Sequence, residues 1–113
     1  MLLIGAAFVI VTTALYHSIL GERRVIGPLL AVHSRLLSHR LRRVLRFTWH
    51  LATLLMILTA ATLVWPDTPT NLVRLIGASY LLLGVAAFWT SKGRHVSGPL
   101  FSAAGGLALA GTF

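Results

Sequence analysis

The chain has 113 residues, of which 57% are hydrophobic and 11% charged, and ten Lys and Arg against two acids give a net charge of +8. Its mean hydropathy is +0.85. An ordinary soluble domain is roughly a quarter charged, and one of about a hundred residues buries only some two-thirds of the surface its unfolded chain exposes, so lipid is the expected solvent here and an all-α integral membrane protein the expected class.

The first predicted span, about residues 1–20, carries no charged side chain. It lacks a basic leader, and Gly21-Glu22-Arg23-Arg24 stands where a signal-peptide cleavage site needs small residues, so a retained membrane helix is expected. After Gly27-Pro28, read as a helix start, Leu30, Leu37, Leu41, Val44 and Leu45 recur at helical spacing opposite Arg35, Ser38, His39, Arg42 and Arg46. This predicts a basic amphipathic helix over about 29–45 that lies on the membrane surface. Its Arg35, Arg40, Arg42 and Arg43 would face anionic headgroups, at ~1 kcal/mol per basic residue, or an acidic partner. Interleaved aromatics that could stack bases are missing from the stretch, so nucleic acid is not an expected partner.

The second span, about 47–65, ends at the turn-rich Pro66-Asp67-Thr68-Pro69. The third covers about 73–90, with Arg74 able to snorkel to the headgroups, and the fourth about 96–113, with Pro99 in its first turn. A hydrocarbon core of ~30 Å needs about 20 helical residues. The four spans therefore make one transmembrane domain, a four-helix bundle.

Orientation follows from the basic residues. Arg23, Arg24, Arg35, Arg40, Arg42, Arg43 and Arg46 fall between spans one and two, Lys92 and Arg94 between three and four, and only Arg74 near the remaining connection. The positive-inside rule then places the two basic connections in the cytoplasm and both termini away from it; nine arginines against one lysine suit a GC-rich bacterial genome, so the expected membrane is the cytoplasmic (inner) one. All five histidines, His17, His33, His39, His50 and His95, fall toward the basic side.

Small residues recur every four positions on span four, as Gly98, Ser102, Gly106 and Ala110, and Gly77 and Gly84 mark a similar patch on span three. In lipid such faces let helices approach closely, within the bundle or against another subunit.

Chemistry is narrowly bounded. Cysteine is absent, and Glu22 and Asp67, the only acids, fall on opposite sides of the predicted membrane. These exclude thiolate sites, glycosidase carboxylate pairs, di-iron carboxylate centres and hard-cation cages, and no catalytic or metal-ligating set is assigned. The most polar part of the spans is the cluster of His17, Ser18, Glu22, Arg46, Trp49 and His50. His17 and His50 each lie four residues inside the basic end of their spans, ~6 Å, and so at matched depth on antiparallel helices. The cluster reads in several ways: a hydrogen-bonded helix clamp, a bis-histidine haem b or metal site on His17 and His50, or a proton relay.

The run His17-Ser18-Ile19-Leu20-Gly21-Glu22, followed by Arg43-Val44-Leu45-Arg46-Phe47-Thr48-Trp49-His50, resembles a family of small bacterial four-helix membrane proteins. Its pattern is His-Ser-x-Leu-Gly-Glu and then Arg-x-x-Arg-x-x-Trp-His. The resemblance covers about the first half of the chain and implies a four-helix membrane fold, with His17, Glu22, Arg46 and His50 in one shared site and no activity attached. The expected function is therefore a non-enzymatic accessory or structural subunit, packing in a larger membrane complex or a homo-oligomer. A haem- or metal-binding redox module on His17 and His50 is the alternative. A small transporter comes third, because the spans lack a buried acid at mid-depth.

Overall fold

In a computed structural model, which describes residues 1–32 and 35–113, the chain is all-α, with four helices and no strand among the described residues. Helix α1 runs over Leu2–Ala31, α2 over His39–Val64, α3 over Thr70–Thr90 and α4 over Ser97–Ala110. The first three are long and apolar enough to cross a membrane. With 14 residues, α4 is about 21 Å long.

Helix α1 runs past the expected break at Gly27-Pro28. A proline inside an α-helix has no N–H to donate, and its ring collides with the carbonyl four residues back, here that of Arg24. The chain widens to a π-helix over Glu22–Ile26, where the Gly27 N–H reaches the Glu22 carbonyl, and returns to α over Gly27–Ala31. The wider turn makes room for the proline. A Cβ at position 27 would lie 2.8 Å from the Glu22 carbonyl oxygen, so the turn requires glycine there.

No separate surface helix spans 29–45. Its described residues divide between the end of α1 and the first turns of α2, with extended backbone at Val32 and Ser38. His33 and Ser34, inside that expected helix, lie outside the described residues. Ser38 starts α2 by accepting the Leu41 N–H at 3.2 Å. Nothing breaks the helix between Arg46 and Phe47, so the basic turns and the second span are one rod. At 30 and 26 residues, α1 and α2 are about 45 and 39 Å long, enough to carry their basic ends beyond a ~30 Å core.

Arg42 ties these two ends together. Its guanidinium donates to the carbonyls of Leu30, of Val32 at 2.8 Å and of Leu37 at 3.1 Å. The Leu30 carbonyl belongs to the set that every helix end leaves without a partner. Arg42, expected to face lipid or a partner, is thus committed to the backbone, whereas Arg35, Arg40 and Arg43 are exposed.

The helices are arranged in the order α2, α1, α4, α3: α1 packs on α2 and α4, α4 packs on α1 and α3, and α2 and α3 scarcely meet. The shared core sits at the end away from nine of the ten basic residues. There Ala6, Ala7 and Ile10 of α1 meet Ala60 and Leu63 of α2, Val73 and Tyr80 of α3, and Ala104 and Ala108 of α4.

Small residues bring α3 and α4 together. A Cβ at Gly105 would lie 2.6 Å from the Gly77 carbonyl oxygen, one at Gly84 2.9 Å from the Gly98 carbonyl oxygen, and one at Gly98 3.2 Å from the backbone nitrogen of Phe88. Ser102 also lies against Gly84. Gly106 and Ala110, expected on this face, point outward, and nothing lies within 4 Å of a Cβ at Gly106. An α-helix turns 100° per residue, so a recurrence of four drifts about 40° per step and leaves the contact face after two steps. Arg74 is also engaged: Nε donates to Thr112 Oγ1 at 3.3 Å, and the guanidinium stands 5.0 Å from the centre of the Phe113 ring.

Candidate functional site

Ser18 and Glu22 lie one turn apart on α1, and Arg46 and His50 one turn apart on the antiparallel α2, so each pair presents one edge to the other helix. The four side chains form a single chain of bonds. Ser18 Oγ and His50 Nδ1 are 2.7 Å apart, His50 Nε2 and Glu22 Oε2 3.0 Å, and Arg46 Nε and Glu22 Oε1 2.9 Å. A carboxylate only accepts, so Nε2 donates to Glu22; in the neutral ring Nδ1 then accepts the Ser18 hydroxyl.

His17 and Trp49 form a second, reciprocal pair across the same seam. Nε2 of His17 donates to the Trp49 carbonyl at 3.2 Å, and the indole Nε1 donates to the His17 carbonyl at 3.0 Å. The rings stack with centroids 4.3 Å apart and planes 12° from parallel. Gly21 makes the stack possible, because a Cβ there would fall within the space the indole occupies. The structure thus brings all six residues of the sequence-derived cluster to the α1–α2 seam and sorts them into two sets.

This sorting bears on what each set can bind. Both ring nitrogens of His50 are engaged, as is Nε2 of His17. His17 lines a cleft that does not include His50. His17 and His50 therefore do not offer two free imidazole nitrogens to one gap, which a bis-histidine haem held by that pair needs. Among the described residues no three of His, Asp and Glu gather as a metal site.

The order Ser18, His50, Glu22 within the cluster is a contact that the sequence reading did not single out. The signal was present in the four-residue spacing of Ser18 and Glu22 opposite Arg46 and His50. Serine, histidine and carboxylate in a row are the partners of a hydrolytic triad, yet Ser18 lies inside α1 and the N–H groups around it belong to the helix ladder. No backbone donors converge there on the position an oxyanion would take.

The cleft is the other feature the sequence did not announce. Where α2 and α3 diverge they leave a cavity of about 730 Å³, floored by α1 and α4. Leu55 and Met56 of α2, Leu83 of α3 and Leu100 and Phe101 of α4 line its length. Toward the basic end it is lined by His17, Arg24, Trp49, His95 and Ser97. At the other end Thr59 Oγ1 and Tyr80 Oη, 2.6 Å apart, join α2 to α3, and Tyr80 packs at 5.6 Å on Phe101. Compared with known protein families, curated proteins and solved structures, the chain matches none.

Proposed function

We propose that this chain is a non-enzymatic integral membrane protein, an accessory component that holds a hydrophobic partner in the cleft between α2 and α3. The observation that carries this reading is the separation of those two helices. Four helices that joined the rest of the bundle only to stabilise one another would close on a common axis, whereas here the core gathers at one end and the other end stands open. A cavity of 730 Å³, mostly apolar with a few polar groups at one end, falls within the ~300–1,000 Å³ of ligand sites.

The polar cluster supports holding over transforming, because its members satisfy one another and rivet α1 to α2. Gly77, Gly84, Gly98 and Ser102 are spent within the bundle, which leaves the outward faces, including Phe8, Leu54, Leu82 and Gly106, for lipid and for neighbouring subunits. The proposed placement is the inner membrane, with both termini away from the cytoplasm and exposed Arg35, Arg40 and Arg43 over anionic lipid of the cytoplasmic leaflet. The family resemblance belongs to the same proposal, since its two blocks supply the α1–α2 rivet.

Gentle detergent extraction followed by native mass measurement tests this reading. The expected species carries bound mass beyond the 12.2 kDa of the chain itself. A bare monomer from every mild detergent overturns it.

A further inference from the structure

We infer that the cleft is the site of one anionic phospholipid from the leaflet on the basic side, with an acyl chain along the cleft and its phosphate beside Arg24 and His95. The inference rests on the membrane reading above and names the occupant.

Length selects the occupant. On α2 the lining runs from Trp49 to Thr59, ten residues or about 15 Å, which is half of a ~30 Å hydrocarbon core. The Thr59–Tyr80 hydrogen bond and the packed core close the cleft at that depth. A spanning helix of a partner needs a groove through the whole thickness. A cleft that starts at headgroup level and stops near the midplane matches a lipid of one leaflet.

Charge selects the headgroup. Glu22, the only acid toward this end of the chain's spans, is occupied by Arg46 and His50, so no carboxylate neutralises Arg24 at the mouth of the cleft. In the turn before α4, His95 Nδ1 accepts the Ser97 N–H at 3.0 Å and faces the Ser97 hydroxyl at 2.6 Å. An N–H can only donate, so the proton of the neutral ring sits on Nε2, which remains a donor. A guanidinium from α1 and an imidazole N–H from the turn before α4, both lining one cleft, suit a phosphate oxygen better than a choline ammonium.

Trp49 lines the cleft and reports on it directly. In a Trp65→Phe, Trp89→Phe background it is the only tryptophan, and a bromine on an acyl chain seated in the cleft quenches it. The protein is reconstituted into phosphatidylcholine vesicles that contain a rising mole fraction of either brominated phosphatidylglycerol or brominated phosphatidylcholine. The expected result is half-quenching at a several-fold lower fraction of the anionic lipid. Arg24→Gln lowers that preference about fivefold, the equivalent of ~1 kcal/mol per basic residue near the surface. His95→Gln lowers it independently, and millimolar inorganic phosphate leaves the quenching unchanged.

Equal quenching by the two lipids overturns the inference, as does a preference that survives both substitutions or is abolished by inorganic phosphate. Protein that inserts but shows equal quenching leaves the accessory reading standing, with another occupant for the cleft. Protein that does not enter the vesicles overturns both.

Discussion

Five serine and threonine hydroxyls along the helices donate to the carbonyl four residues earlier: Thr13 to Val9, Thr48 to Val44, Thr62 to Leu58, Ser79 to Leu75 and Thr90 to Ala86. Thr53 is 8% exposed, and its Oγ1 has no partner. The carbonyl four residues before it is that of Trp49, which His17 Nε2 already occupies. The seam between α1 and α2 therefore gains an interhelical hydrogen bond at the expense of a local one, and an unbonded buried hydroxyl lowers stability. Thr53→Val keeps the shape and removes the hydroxyl, so it should raise stability by about 1 kcal/mol, read as a higher Tm in detergent. In a His17→Ala background the Trp49 carbonyl is free for Thr53 and the gain should vanish. An equal gain in both backgrounds would show that His17 is not the cause. The Ser18, Glu22, Arg46 and His50 cluster was legible because it needs only helical spacing and matched depth. The competition for one carbonyl was not, since it depends on ring orientation.

Between elements, the sequence pattern named six small residues on the two helices that pack closely, and four of the six lie at their contact. Gly77, Gly84, Gly98 and Ser102 lie on the α3–α4 contact, while Gly105 replaces Gly106 as its continuation. A strict recurrence of four follows a slowly turning stripe, and a pair of helices that pack nearly along their lengths needs alternating steps of three and four. Gly105→Leu must displace the Gly77 carbonyl and the Leu81 backbone, at a cost of about 2–3 kcal/mol, whereas Gly106→Leu adds an apolar side chain to an open surface. The first should lower the Tm or the folded yield and the second should leave both unchanged. If the second matches the first, Gly106 packs against another subunit instead. The basic connection was misread for a related reason. Pro28 looked like a helix start, and only the π turn at Glu22–Ile26, which has no sequence periodicity of its own, shows how α1 passes through it to be capped by Arg42.

For the whole molecule, the hydrophobic runs predict long helices but not which of them stay apart. The cleft arises because α2 and α3 are both attached to other helices and are joined to each other near Thr59 and Tyr80, a property of the arrangement and of no single segment. Sidedness, by contrast, is a prediction of the whole chain from its charges alone, nine basic residues against one. A chain without cysteine makes it simple to test. Asn71 lies in the first turn of α3 next to the Pro66-Asp67-Thr68-Pro69 turn and Arg94 lies in the turn between α3 and α4, and both are exposed. In intact cells a membrane-impermeant maleimide should label Asn71→Cys and leave Arg94→Cys unlabelled until the membrane is opened. The reverse pattern would invert the topology, place Arg24 and His95 away from the cytoplasm, and move the proposed lipid site to the other leaflet. Labelling of both in intact cells would mean that α3 does not cross the membrane, and the half-membrane depth of the cleft would lose its meaning.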